Sequence, residues 1–113
     1  MPARPSGERS LRASAPLFAA LGDETRLRLV SRLCQEGPLP IVRLAAGSDV
    51  TRQAIAKHLR VLEGAGLVRG ARQGRESVWE IEPHGLDEAR RYLDLVSKRW
   101  DAAIDRLKAL VER

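Results

Sequence analysis

The stretch TRQAIAKHLRVLEGAG, residues 51–66, constrains the fold of this chain more than any other segment. Thr51 suits the N-cap of a helix, because its hydroxyl can accept a backbone N–H of the first turn. Gly64 and Gly66 suit the other end, where a residue in the left-handed conformation is often needed. The sequence therefore predicts a helix that begins after Thr51 and ends at these glycines.

The two faces of this predicted helix differ in character. At about 100° per residue, Ile55, Leu59 and Leu62 share one face, which predicts burial in a core. The opposite face carries long polar side chains that suit phosphates and base edges in a major groove, and the small Ala56 beside them would allow close approach. An ordinary amphipathic helix with a solvated charged face is the alternative from this helix alone. The polar face consists of Gln53, Lys57 and Arg60.

The segment before Thr51 predicts the first half of a helix-turn-helix. Residues 41–47 form a short helix in which Ile41, Leu44 and Ala45 have the i, i+3, i+4 spacing. Residues 47–50 form the turn, with Val50 as an apolar plug beneath it. A short helix, a tight turn with glycine and a capped longer helix are the helix-turn-helix layout. In that layout the first helix crosses the DNA backbone and the second enters the groove.

A period of two follows Gly66 and predicts a β-hairpin. Residues 67–72 and 77–81 are two short strands around a glycine-containing turn, with Trp79 and Ile81 on the inward face. Arg69, Arg72 and Arg75 make the hairpin basic. A basic hairpin after a recognition helix is a wing, and its arginines suit phosphates or a narrow minor groove.

The N-terminal part predicts a loose arm and two helices. Residues 1–14 are rich in Pro, Gly, Ser and Arg, which is typical of a disordered basic arm. Residues 15–21 form a short apolar helix. Asp23 caps a second helix that runs to about Glu36. Its predicted apolar face holds Leu27, Val30, Leu33 and Cys34.

From about residue 84 to 112 the chain predicts one long helix, within a single domain of residues 15–113. The part from Leu86 to Leu110 has 25 residues and as a helix is about 38 Å long, more than so small a domain can cover. Apolar residues recur at alternating spacings of three and four, the heptad seam of a coiled coil. We expect this helix to pack partly on its own core and partly on a second copy; packing entirely within one chain is the alternative. The seam consists of Leu86, Ala89, Leu93, Val96, Trp100, Ala103, Leu107 and Leu110.

Positive charge is concentrated in the helix-turn-helix and wing. The chain of 113 residues has a net charge of +5, and the segment 52–75 alone contains six basic residues and one acidic residue. A basic balance of this kind favours nucleic acid as a partner. A winged helix that serves as a protein-interaction module, without specific DNA binding, is the alternative, but it needs no basic groove-facing surface.

Other classes of protein are disfavoured by what the sequence lacks. We find no nucleophile–base set, no paired carboxylates in a pocket and no phosphate-cradling glycine loop, so we expect no enzyme. The one cysteine, Cys34, cannot form an internal disulfide, which fits a reducing compartment. No apolar run is long enough to span a membrane, and no secretion signal is evident. We therefore expect a cytoplasmic protein.

The tracts FAALGDETRLRLV and TRQAIAKHLRVLEGAGLV, the second followed by a basic glycine turn, resemble the ArsR/SmtB family of bacterial winged-helix repressors. The resemblance covers about residues 15–112. It implies a fold that is mainly α with a small β-hairpin, a homodimer built from the first and last helices, and repression at an operator, with autoregulation in some members. The expected dimer residues are Leu17, Phe18, Leu93, Val96, Trp100, Ala103, Leu107 and Leu110. The expected DNA-binding residues are Thr51, Arg52, Gln53, Ala56, Lys57, Arg60, Arg72 and Arg75.

The metal ligands that the resemblance implies are not assembled. One family site uses a Cys-x-Cys pair in the short helix before the turn, and residues 41–47 contain no cysteine. Another uses histidine and carboxylates of the last helix, which here offers Asp94, Asp101 and Asp105 but no histidine after His84. Transition metals prefer thiolate or imidazole ligands. We therefore expect no metal and no cofactor, and the sequence identifies no effector.

Overall fold

A computed structural model describes residues 6–112, with side chains described from residue 11. The predicted order of elements is confirmed: three helices, a recognition helix, a hairpin and a long last helix. Within the described range no helix is long and apolar enough to cross a membrane. The elements are α1 (Ser6–Leu21), α2 (Glu24–Glu36), α3 (Ile41–Ala45), α4 (Arg52–Gly64), β1 (Val68–Gln73), β2 (Glu76–Ile81) and α5 (Pro83–Val111).

The core lies where the apolar faces of the helices meet the base of the hairpin. The predicted inner face of α4 is confirmed, because Ile55, Leu59 and Leu62 are all fully buried. Thr51 caps α4 as predicted, accepting the N–H of Ala54 at 3.1 Å. The buried cluster consists of Leu17, Ala20, Leu29, Val30, Leu33, Leu39, Leu44, Ile55, Leu59, Leu62, Leu67, Val68 and Ala89.

The first helix begins earlier than the sequence predicted. We expected residues 1–14 to form a disordered arm, yet α1 begins at Ser6, and residues 1–5 lie outside the described part of the chain. Ser14 and Leu17, three residues apart on one helical face, are only 2% and 3% exposed. Tertiary burial of this face therefore outweighs the weak helix propensity of a Ser- and Pro-containing segment.

The predicted cap of α2 is confirmed, but its predicted apolar face is rotated. Asp23 accepts the N–H of Arg26 at 3.0 Å, and this hydrogen bond is the main cause that lowers the pKa of the Asp23 carboxyl. Leu29 lies in the core, whereas Leu27 is 51% exposed and Cys34 is exposed. The face predicted from residues 27, 30, 33 and 34 is thus wrong at its edges, because the buried stripe follows the spacing 29, 30, 33.

The hairpin is an antiparallel pair in the register Val68–Ile81 to Gln73–Glu76. Gly74, with φ of +66°, occupies the tight turn in a conformation that suits glycine. Trp79 and Ile81 pack against the core as predicted. Leu39 adds a third partner, because its N–H and C=O both bond to Trp79, at 3.0 and 2.8 Å. The wing is therefore anchored at its base to the loop between α2 and α3.

Candidate nucleic-acid interface

The outward face of α4 presents the polar side chains that the sequence predicted. Thr51, Arg52, Gln53, Lys57 and Arg60 are exposed, and the smaller Ala56 is half-buried among them. Their common exposure follows from burial of the opposite face, since the two faces alternate along one helix. The Thr51 oxygen accepts the cap hydrogen bond, so its O–H remains a donor for another group.

The cations of this face are available for an external anion. Among residues 11–112, the structure contains no ion pair, with nitrogen and oxygen within 4.0 Å, that involves Arg52, Lys57 or Arg60. By contrast, the exposed cations Arg28 and Arg91 each pair with a carboxylate one helical turn away. The face therefore carries positive charge that no carboxylate of the described residues neutralises.

The three arginines of the wing are not equivalent. Arg69 donates to Glu80 and Glu82 at 2.9 Å each, and these contacts, the Glu80 hydrogen bond first, raise the pKa of its guanidinium. Arg72 lies on the other face of β1, near the tip, and donates to the carbonyl oxygen of Arg75 at 3.2 Å. Arg75 lies in the turn and is exposed. The positive charge of the wing is thus partly cancelled at Arg69 and remains at Arg72 and Arg75, near the tip.

The predicted dimer residues differ in exposure, and all but one of them are exposed or half-buried in the single chain. Trp100, at 68% exposed, is joined by exposed Leu93, Leu107 and Leu110, while Val96 and Ala103 are half-buried along the same helix. Phe18 is half-buried, with its ring 5.7 Å from that of Tyr92 on α5.

Leu17 was predicted on the dimer surface, but the structure buries it. It lies in the core of its own chain, because the register of α1 turns it inward. Leu11, in the segment predicted to be a disordered arm, is 50% exposed. It precedes Phe18 by seven residues, a heptad spacing that places both residues on one side of α1.

A polar cluster that was not predicted from the sequence lies between α2 and α4. Arg26 donates through Nε to the carbonyl oxygen of Ala20 at 2.5 Å, and its Nη1 lies 3.3 Å from Nδ1 of His58. Asp23 Oδ2 lies 3.8 Å from the same nitrogen. His58 is therefore on the α2 side of α4, where its ring contacts Arg26 and Asp23.

The described residues contain no group of three or more His, Cys, Asp or Glu side chains placed to hold a metal ion. His84 at the start of α5 contacts Glu88 at 3.1 Å, and Glu82 caps the helix by accepting the His84 N–H. That cap is the first cause that lowers the pKa of Glu82, ahead of the charge of Arg69. These residues order the junction into α5.

Comparison with known proteins identifies similar chains across most of this length. A helix-turn-helix domain model matches residues 21–71. The HTH-type transcriptional regulator Rv2034 of Mycobacterium tuberculosis is 37% identical over 84% of this chain and 85% of its own. The arsenical resistance operon repressor of Escherichia coli is 30% identical over 84% and 79%. An ArsR-like transcriptional regulator from Rhodococcus sp. RHA1, 33% identical, superposes with a TM-score of 0.74 over 90% and 95%.

Proposed function

Because the chain belongs to the ArsR family of winged helix-turn-helix transcriptional regulators, which are not enzymes, we propose that it is a homodimeric repressor. It represses transcription by binding promoter DNA. The observation that carries this proposal is the exposed face of α4, whose cations have no carboxylate partner in the described chain. Such a surface fits the phosphates and base edges of a major groove. Acting on promoter DNA also agrees with the expected cytoplasmic location.

Each residue of the α4 face has a distinct proposed role. Gln53 reads a base edge, since its amide can donate and accept at once. Thr51 donates its O–H to a phosphate at the helix N-terminus, where the helix dipole favours an anion. Arg52, Lys57 and Arg60 contact phosphates or guanine edges, and Ala56 permits close approach because it is small.

The wing extends the proposed interface beyond the recognition helix. Arg72 and Arg75 lie at the exposed tip, and Arg72 contacts the main chain of Arg75. These two arginines contact phosphates of the DNA backbone beside the major groove. Such contacts supply affinity without sequence preference. Arg69 is outside the proposed interface, because Glu80 and Glu82 hold it.

The proposed dimer forms through the exposed apolar stripe of α5 together with α1. A stripe with Trp100 and three exposed leucines is the kind of surface that a soluble protein covers with a partner. A closed dimer is two-fold symmetric. It therefore presents two copies of α4 to an inverted repeat whose half-sites are about 34 Å apart, or a multiple of that distance.

Repression follows from occupying a promoter, and we propose that the promoter of the protein's own gene is among its targets. A relative at 30% identity is named a repressor, which supports this direction of control. We propose no metal signal, because the short helix α3 has no cysteine and α5 has no histidine beyond His84.

Nuclease footprinting upstream of the protein's own gene tests the proposal. We expect protection of two half-sites related by an inverted repeat, with equal protection on both strands. Protection of one asymmetric half-site would contradict the two-fold arrangement. Absence of any protected site at low salt would favour the alternative, a winged helix that contacts proteins.

A further inference from the structure

We propose that Arg26 is a positioning residue, which holds α4 at a fixed angle to α1 and so lets the dimer set the spacing of the half-sites that it binds. The inference rests on the proposed function, because it assumes a dimer with one recognition helix in each chain. It concerns a residue that lies outside the DNA-facing surface and outside the apolar stripe.

The guanidinium of Arg26 joins three helices. Arg26 itself lies in the first turn of α2. Its Nε donates to the carbonyl oxygen of Ala20 in the last turn of α1, at 2.5 Å, and its Nη1 faces Nδ1 of His58 in the middle of α4, at 3.3 Å. A guanidinium is a rigid planar fork of donors, so these two contacts fix one orientation of α1 against α4.

Hydrogen-bond geometry matters here because the remaining described contacts between α1 and α4 are largely apolar. Leu17 and Ala20 belong to the same buried cluster as Ile55 and Leu59. Ridges of apolar side chains that pack into grooves favour a class of crossing angles, but with a scatter of about 15–20°. A hydrogen bond requires an angle as well as a distance. Arg26 therefore adds a directional restraint that narrows the range left by apolar packing.

Asp23 fixes the backbone position of Arg26. Its carboxylate caps α2 by accepting the N–H of Arg26 at 3.0 Å, which fixes the turn from which the Arg26 side chain leaves. The same Oδ2 atom lies 3.8 Å from Nδ1 of His58. Nδ1 accepts from Arg26 when the histidine proton is on Nε2.

The position of His58 connects this restraint to DNA recognition. His58 follows Lys57 directly and precedes Arg60 by two residues, so a rotation of α4 about the His58 contact moves both cations. In a two-fold dimer the same rotation occurs in both chains and changes the distance between the two DNA-facing surfaces. A looser restraint should therefore reduce selectivity for half-site spacing more than it reduces contact with each half-site.

The first test measures spacing selectivity of the full-length protein. Arg26→Lys retains the charge but provides one point donor instead of a fork, whereas the matched control Arg28→Lys alters an exposed arginine of the same helix that pairs only with Glu24. Affinity is measured by fluorescence anisotropy on the protected operator and on the same operator with one base pair inserted between half-sites.

We expect Arg26→Lys to bind the natural operator about tenfold more weakly, the equivalent of one hydrogen bond to a charged group. It should also lose most of the discrimination between the two duplexes. Arg28→Lys should keep wild-type discrimination. Wild-type discrimination by Arg26→Lys would overturn the inference.

The second test needs no DNA. Cys34 is replaced by serine, and a spin label is attached at Val61→Cys, an exposed position of α4. Pulsed electron–electron double resonance then measures the distance between the two copies of α4. His58→Leu removes the acceptor, and His58→Asn restores an acceptor near the position of Nδ1. We expect a broader distance distribution for Arg26→Lys and His58→Leu, and a distribution close to wild type for His58→Asn. Equal widths in all four proteins would overturn the inference.

The two tests separate failure of the inference from failure of the proposed function. If the wild type does not distinguish its operator from scrambled DNA, the proposed function fails, and the label distances still decide whether Arg26 positions α4. If the wild type distinguishes them but Arg26→Lys retains spacing selectivity and a narrow distance distribution, the inference alone fails. Unfolding midpoints of all variants, measured alongside, exclude variants that have lost the fold.

Discussion

Gly85 in the first turn of α5 lies directly against Gly66, which belongs to the turn that follows α4. A Cβ atom placed at Gly85 would be only 2.0 Å from the carbonyl oxygen of Gly66, so the approach requires glycine. Gly66 itself has φ of +81°, in the left-handed region that glycine favours. The recognition helix and the long last helix are therefore joined at a close backbone contact.

Substitution at this contact should destabilise the fold. Gly85→Ala forces a methyl group into main-chain atoms that cannot turn aside, and we expect a loss of about 1–3 kcal/mol in the free energy of unfolding, typical of overpacking. Gly70→Ala is the matched control, because nothing lies within 4 Å of its Cβ position and its φ is not positive. Urea unfolding measures both. Equal stability of the two variants would show that the helix junction adjusts without cost.

Acid should weaken the cap of α2. The folded pKa of Asp23 is lowered, chiefly by the N–H of Arg26, so its stabilisation is present above the ordinary value of 3.8 and is lost as the pH falls through the lower, folded pKa. Asp23→Asn keeps a good N-cap but removes the charge. We expect Asp23→Asn to unfold at lower temperature than wild type at pH 7, with the difference shrinking below pH of about 4. A difference that stays constant from pH 7 to pH 2 would contradict a titrating cap.

Much of α4 was predictable from the sequence, because its cap and its apolar face are local patterns within one helix. Two other features depend on residues far apart in the chain and have no local pattern. The fit of Gly85 depends on the position of Gly66, and the contact of Arg26 with His58 spans 32 residues. Neither could be predicted before the helices were placed.

Errors on α1 and α2 have a different physical cause. The apolar residues of α2 form two overlapping stripes, 27–30–34 and 29–30–33, which share Val30. At about 100° per residue both have helical spacing, so periodicity alone cannot decide which of them the core covers. Leu17 was assigned to a dimer surface for a similar reason, since nothing local distinguishes an inward from an outward leucine on a short helix. The early start of α1 depends on burial of Ser14, which only tertiary contacts reveal.

Loss of a base contact should change sequence preference. If Gln53 makes a bidentate contact, Gln53→Ala should reduce discrimination at one operator position by about 1–3 kcal/mol, while binding to scrambled DNA changes little. Gln35→Ala, an exposed glutamine of α2, is the control. Competition with operators substituted at each position measures the effect. Unaltered preference at every position would remove Gln53 from base readout.

A wing substitution should have the opposite pattern. Arg75→Ala should weaken binding to all duplexes alike and reduce the slope of log affinity against log salt by about one unit, the loss of one phosphate contact. Arg91→Ala changes the net charge equally at an exposed position of α5 that pairs with Asp87. It should leave the slope unchanged. If Arg75→Ala altered sequence preference alone, the assignment of the wing to the backbone would be wrong.

A charge on the apolar stripe should break the dimer. Leu107 is 61% exposed in the single chain, so Leu107→Asp should spare the fold of each chain while placing an unpaired charge in the buried interface. Sedimentation equilibrium should then give the mass of a monomer. Asp105→Ala, on the opposite side of α5, should remain dimeric. A dimer mass for Leu107→Asp would place the interface elsewhere.

The most direct test of the central claim is fluorescence anisotropy of the wild-type protein on DNA from upstream of its own gene, with a scrambled duplex and a salt titration alongside. Sequence-specific regulation predicts tight binding that weakens steeply with salt and prefers the natural duplex, by about a thousandfold or more over scrambled DNA. Binding to neither duplex at low salt would contradict the claim that the exposed face of α4 is a DNA-binding surface.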